Sequence, residues 1–276
     1  MLMLRRTLLL SMLLAWFAAA APAETWTSFD VSGAQRTFAT GINDGGDIVG
    51  AYVSEGVAHG YLYRLGVFTT IDPPGAIASH AVAINANEQI AGWFQTSDLV
   101  IHGFLFDTHG YTTLDVPGAS TTVAQGIDNV GNVIGYYVSG ETKGFRWNNG
   151  VFATVDAPGA IATELTGINN FHTLVGIYTD PQHKKHSYIQ NGEGFSRKLP
   201  FKEGVFGIND HKVVVGSGTA GGLSYGFRYS LHAKKLIKMM YPGSVETHCF
   251  GINGESQIVG NYTNSTGKVR AFVRTP

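Results

Sequence analysis

The sequence predicts an all-β fold, a six-bladed β-propeller of four-stranded antiparallel blades. Three observations carry this. One unit of about 42 residues is written six times. Each unit reads as four short strands parted by turn residues. The strand missing from the last unit is found at the start of the body.

The phrase Gly41-Ile42-Asn43 recurs as Ala83-Ile84-Asn85, Gly126-Ile127-Asp128, Gly167-Ile168-Asn169, Gly207-Ile208-Asn209 and Gly251-Ile252-Asn253. Successive copies are 42, 43, 41, 40 and 44 residues apart. A second phrase follows in each, Ile48-Val49-Gly50-Ala51-Tyr52 in the first copy. Between the two lie Asn, Asp and Gly, which accept the positive φ of a hairpin turn. The third phrase is His59-Gly60-Tyr61-Leu62-Tyr63, and the fourth is Phe68-Thr69-Thr70-Ile71-Asp72. No helical period runs through the body, and a unit of this length falls in the range of propeller blades.

The sixth copy stops after its third strand, near Arg274. Trp26-Thr27-Ser28-Phe29-Asp30 matches the fourth phrase and supplies the missing strand. The N-terminal strand is therefore expected to complete the last blade, which protects the sheet edges of a ring. The small residue before Ile in each copy suits a crowded inner strand near the axis. One ring makes one domain, 24–276.

Residues 1–23 read as an export signal. Arg5 and Arg6 precede an apolar run, and Ala21-Pro22-Ala23 offers small residues for cleavage before Glu24. The run is shorter than a membrane span. Once it is removed, no anchor is expected, and the address is the periplasm or outside the cell. Cys249 is the only cysteine, so no internal disulfide forms, and a small buried apolar role is expected for it.

The pattern F-T-T-x-D-x-P-G-A, then G-I-N-D-x-G-x-I-V-G-x-Y, then H-G-F-L, resembles the HAF-type extracellular repeat family of exported bacterial proteins. The resemblance spans residues 25–275. It implies an exported repeat protein and brings no catalytic residues with it. Copies four to six depart from the pattern. Lys198-Leu199-Pro200 and Met239-Met240-Tyr241 replace the Thr-x-Asp ending, and copy five lacks the aromatic after Gly216.

Meander topology puts the Asp-x-Pro-Gly-Ala loops and the loops after the second strands on one face. Three repeated sets follow there: the aromatics Tyr52, Phe94, Tyr137, Tyr178 and Tyr262; His59, His102, Lys143 and His186, with Tyr225 and Arg270; and Asp30, Asp72, Asp115 and Asp156. A residue repeated in every blade usually serves what every blade needs. The Asp groups fit turn capping, the His groups fit a bridge to Asp, and the aromatics fit packing. The functional alternative is a ligand face, with aromatic stacking and polar orientation of a sugar or peptide. The Asn set lies on the opposite face and fits hairpin geometry. The repeated His residues sit on different blades without ligand spacing, so no metal is expected.

The formal charge is −1, which gives no global field toward nucleic acid. Charge is nonetheless split along the chain. Residues 24–150 hold four Lys/Arg against twelve Asp/Glu, and 151–276 hold thirteen against eight. Lys184, Lys185, Lys198, Lys202, Lys212, Lys234, Lys235 and Lys238 make one side basic, which is either solvated surface or a dock for an anionic partner. No nucleophile elbow, zinc-protease motif or phosphate loop is present. Asn261-Tyr262-Thr263 and Asn264-Ser265-Thr266 have the form of glycosylation acceptors but are read as chance matches. The expected role is a monomeric, non-enzymatic binding or scaffold module for a protein or glycan, with no cofactor. The alternative is a glycan-active hydrolase or lyase.

Overall fold

A computed structural model describes residues 24–191, 194, 196–201 and 204–276. The export signal and Lys202 lie outside the described residues. The strands are β1 (Thr25–Phe29), then β2 (Arg36–Ile42), β3 (Ile48–Ser54), β4 (Val57–Arg64) and β5 (Val67–Thr70) of copy one. Copy two supplies β6 (Ala78–Ile84), β7 (Ile90–Gln95), β8 (Ile101–Asp107) and β9 (Gly110–Leu114). Copy three supplies β10 (Thr121–Ile127), β11 (Val133–Ser139), β12 (Glu141–Asn148) and β13 (Val151–Thr154). Copy four supplies β14 (Ala162–Ile168), β15 (Leu174–Thr179), β16 (Lys185–Gln190) and β17 (Ser196–Lys198). Copy five supplies β18 (Gly204–Ile208), β19 (Val213–Ala220), β20 (Leu223–Ser230) and β21 (Lys235–Met239). Copy six ends the chain with β22 (Glu246–Ile252), β23 (Ile258–Thr263) and β24 (Val269–Thr275).

The fold is an all-β propeller of four-stranded antiparallel blades. The expectation of six blades needs correction. Among the described residues hydrogen bonding gives five sheets and not six blades, because β6–β13 share one eight-stranded sheet. A parallel pairing at Thr121 and Ile101 links copies two and three where the inner strand β10 meets the start of β8. The N-terminal strand pairs antiparallel with β24 from Thr25–Thr275 to Phe29–Ala271, in the sheet of β22 and β23.

Every inner strand carries a bulge one residue before the Gly or Ala of the repeated phrase. The bulge brings neighbouring inner strands close together. A Cβ on Gly41 would lie 2.7 Å from the Val82 carbonyl oxygen, and one on Gly251 would lie 2.8 Å from that of Thr40. Backbone cannot yield as a side-chain tip can, so glycine there is a steric requirement.

Each apolar cluster joins two neighbouring copies. Val49 and Ile71 of copy one pack with Ala81, Ile84 and Phe104 of copy two. Val215 and Met239 of copy five pack with Cys249 and Phe272 of copy six. Ala39, Ile42 and Ile48 of copy one pack with Val259 and Ala271 of copy six. Cys249 is fully buried, as expected, and burial pushes its thiol up to about 12. Phe104, Phe145, Phe227 and Phe272, each essentially inaccessible to solvent, stand at one repeated position of the third strand. Burying each such ring contributes roughly 2–3 kcal/mol against leaving it in water.

Gly251→Ala is expected to cost about 1–3 kcal/mol in urea unfolding, because the methyl group meets backbone. Gly126→Ala should cost less, since the nearest atom there is Ile134 Cδ1 at 3.0 Å, the end of a side chain.

Candidate functional site

The two faces use their repeated residues differently. On the hairpin face, each Asn Oδ1 accepts backbone N–H groups of its own turn, as Asn43 does from Asp47 at 2.9 Å and Asn169 does from Thr173 at 2.9 Å. The same side chain then donates to the next copy. Asn43 Nδ2 reaches the Asn85 carbonyl at 3.3 Å, and Asn85 reaches that of Asp128 at 2.8 Å. Asn169 reaches Asn209 at 3.1 Å, Asn209 reaches Asn253 at 3.0 Å, and Asn253 reaches Asn43 at 3.0 Å. The remaining position holds Asp128, whose side chain lacks the amide N–H that Asn donates onward. Its Oδ2 instead accepts from Asn132 Nδ2 at 2.6 Å and contacts His172 Nδ1 at 3.0 Å. This girdle surrounds a central cavity of about 120 Å³ to which all copies contribute. Hairpin geometry alone therefore describes half of what these Asn residues do.

The opposite face carries the sequence-predicted candidates. In copy one, Tyr52 stacks on His59 with ring centres 5.2 Å apart, and its hydroxyl meets Thr70 Oγ1 at 3.2 Å. His59 Nδ1 lies 2.7 Å from Asp72 Oδ2. Copy two repeats this with Phe94 on His102 at 5.1 Å and His102 Nδ1 2.9 Å from Asp115. In copy three, the Tyr137 hydroxyl meets Thr154 Oγ1 at 3.0 Å, and Asp156 accepts the Gly144 N–H at 3.0 Å. Lys143 there is 3.9 Å from Glu141. In copy four, Tyr178 packs on His186 at 5.0 Å. Pro200 stands where Asp would be, and His186 Nε2 turns to Asp180, 2.6 Å away in its own loop. That hydrogen bond is the main cause holding the Asp180 carboxyl below its ordinary range. In copy six, the Tyr262 hydroxyl meets Ser28 Oγ of β1 at 3.0 Å, and Arg270 pairs with Asp30 at 3.3 Å.

The five aromatics thus meet His, Thr or Ser of their own sheets, not one another. Phe94, Tyr137 and Tyr262 are buried, whereas Tyr52 and Tyr178 are half-buried. Among the polar groups of this face, His59, Asp72, Lys143 and Arg270 are partly exposed, and Asp115 and Glu141 more so. Sequence reasoning missed a hydroxyl row four residues before the Gly or Ala of five copies, Glu203 standing at the position in copy five. Thr37, Thr122, Thr163 and Thr247 accept the N–H groups of Val31, Val116, Ala157 and Tyr241 at 2.9–3.2 Å, fixing the loop between copies. Ser79 fills the same place beside Asp72 and Gly60. The signal was present as a recurring Thr or Ser.

Also missed were polar residues that break the repeat on the first and second strands. His80 Nε2, Ser217 Oγ and Asn261 Oδ1 are buried without a hydrogen-bond partner. Burial lowers the His80 imidazole to about 4 and also lowers His248. Glu164 pairs with Lys185 at 3.6 Å. Among the described residues, no group of three or more His, Cys, Asp or Glu is placed to hold a metal. The carboxyls with resolved shifts, Glu24, Asp47, Asp98 and Asp180, all move downward, so none of these four is a proton donor at neutral pH.

No family model matches the chain, and no curated protein matches it. Solved structures do. TolB from Acinetobacter baumannii superposes with a TM-score of 0.55 at 14% identity, over 87% of this chain and 55% of that one. This chain therefore spans little more than half of that structure. The β-propeller domain of the Trilobed protease from Pyrococcus furiosus gives a TM-score of 0.55 at 11% identity, over 84% and 79%. Aleuria aurantia lectin, in complex with α-methyl-L-fucoside, gives 0.51 at 11%, over 90% and 93%. At these identities the likeness establishes the propeller fold alone, a fold that serves binding modules and enzymes alike. Among the described residues, no helix is long and apolar enough to cross a membrane.

The neutral His80 has a pH signature. Its folded pKa lies below the ordinary 6.5, so the unfolded chain takes up the proton first as pH falls. Stability should be level above pH 6.5 and fall by about 3 kcal/mol between pH 6.5 and 4. Urea titrations of His80→Phe should lose most of that slope, with the slope from His248 remaining.

Proposed function

We propose that the chain is an exported, non-enzymatic binding or scaffold module for a protein or glycan, built on a closed six-bladed ring. Counting copies two and three as separate blades rests on the single pairing that joins them, against four antiparallel strands within each. Closure by β1 rests on its register with β24 and on the Asn253 to Asn43 bond. The HAF-type repeat pattern and the N-terminal signal support an extracytoplasmic address. The ring works as a monomer without a cofactor, and its modest charge argues against nucleic acid.

The observation that carries the binding reading is how the loop face divides its residues. The repeated Tyr, His and Asp groups are spent on mutual contacts that hold the face rigid. The loops between second and third strands differ in every copy, from Glu55-Gly56 in the first to Asp180–Lys184 in the fourth. A rigid scaffold with variable loops is the usual design of a recognition surface. The half-exposed His59 and Lys143, with His102 and His186 beneath the rim, are the contact residues. Tyr52 and Tyr178 offer ring edges, and Phe94, Tyr137 and Tyr262 support them from below. The lectin and protease relatives keep both glycan binding and catalysis open as activities of the fold.

A glycan array and a screen against exported proteins should return a ligand that is bound and not turned over. Alanine at His59 and Lys143 should weaken it about tenfold while the ring stays folded. Release of new reducing or unsaturated ends from a bound glycan would establish the hydrolase or lyase reading instead.

A further inference from the structure

The space between copies four and five on the hairpin face differs in charge from that between copies one and two. At the junction of copies one and two an ion-pair cluster closes this place on the hairpin face. Arg64, at the end of β4, lies 2.8 Å from Asp47 and 3.1 Å from Glu88 of the next copy. Two anions and a cation close on one another and leave nothing to offer. Aligned on the repeated phrase and strand register, the same three positions in copies four and five are Thr173, Asn191 and Lys212. Both carboxylates are replaced, and a cation stands where Glu88 stood.

A cleft of about 460 Å³ opens at this place. It is lined by Arg197, Lys212 and His232, with polar Thr173 and Ser196 and apolar Leu231. The described lining contains no carboxylate and no phenyl, phenol or indole ring. The Lys212 carbonyl accepts the Leu231 N–H at 3.1 Å, which fixes the turn bearing the lysine against the cleft wall. Lys234 and Lys235 lie on the same outer hairpin but outside the lining.

We propose that this cleft binds the acid group of an anionic saccharide. The guanidinium of Arg197 presents a planar fork to a carboxylate or sulfate, and Lys212 adds a mobile point charge. Thr173 and Ser196 offer hydroxyls to a hydroxylated body. Leu231 covers a sugar's apolar face. The volume suits a saccharide of about two rings on the scale of ordinary ligand pockets. The site is separate from the loop-face reading above, since it uses the hairpin face and other residues.

The test is calorimetric titration of the purified protein with digalacturonate, with sodium sulfate as the bare-anion probe. Digalacturonate should bind at least about tenfold more tightly than sulfate. The Arg197→Ala, Lys212→Ala double variant should weaken it at least about tenfold, and Lys212→Glu should do the same by restoring the charge of copy two. Lys234→Ala with Lys235→Ala should change it by less than about twofold, because these charges are screened and outside the cleft. Thermal melts of each variant separate lost binding from lost fold. Absence of binding by the folded protein, equal affinity for sulfate, or equal loss in the Lys234/Lys235 variant would each overturn the proposal. Alanine at His59 and Lys143 should leave this titration unchanged, so failure here and failure of the loop-face reading are told apart.

Discussion

A side-chain amide that serves two copies at once is the constraint on which this architecture depends. The Asn of the repeated phrase is buried, so both ends of its amide must find partners. Its oxygen is taken by its own hairpin, and its nitrogen by the backbone of the following copy. A buried, hydrogen-bonded group left half-satisfied would cost about 1–3 kcal/mol. Each copy is therefore stable only beside a neighbour. The link from Asn253 back to Asn43, 210 residues earlier, puts the chain ends under the same requirement. Asp128 marks the one seam among these positions, and His172 with Asn132 occupies the acceptor that is left over.

Close approach of the inner strands follows from this girdle, and the rest of the packing follows from close approach. Glycine is required where a neighbour's carbonyl sits, and apolar clusters form between copies. On the other face, the hydroxyl row and the His–Asp contacts set the loops. Residues that repeat are thus largely accounted for by structure. The chemistry left over belongs to positions that do not repeat: the buried His80 and Asn261, the variable loops, and the basic cleft between copies four and five.

Much of this was legible in the sequence, for physical reasons. Strand phrases recur with turn residues between them, so both the meander and the completion by Thr25–Phe29 could be read directly. The thirteen-residue spacing from His59 to Asp72 recurs from His102 to Asp115, so that pairing was also visible. The second bond of each Asn was not, because a contact 42 residues away leaves no mark within a single turn. That the repeated aromatics fit packing was also legible, but the hydroxyl partners of Tyr137 and Tyr262, Thr154 and Ser28, needed coordinates. The swap of His186 to Asp180 needed coordinates, as did the joining of copies two and three into one sheet. The basic bias of the second half was plain, but the cleft emerged only when Arg64, Asp47 and Glu88 were seen paired in space.

The most direct test of the girdle is hydrogen exchange of the side-chain amides of Asn43, Asn85, Asn169, Asn209 and Asn253, followed by NMR. Bridged between copies, these protons should exchange within about tenfold of the slowest backbone amides of the inner strands, because the same global opening frees both. Exchange at the rate of a free primary amide, with the fold intact, would contradict the account.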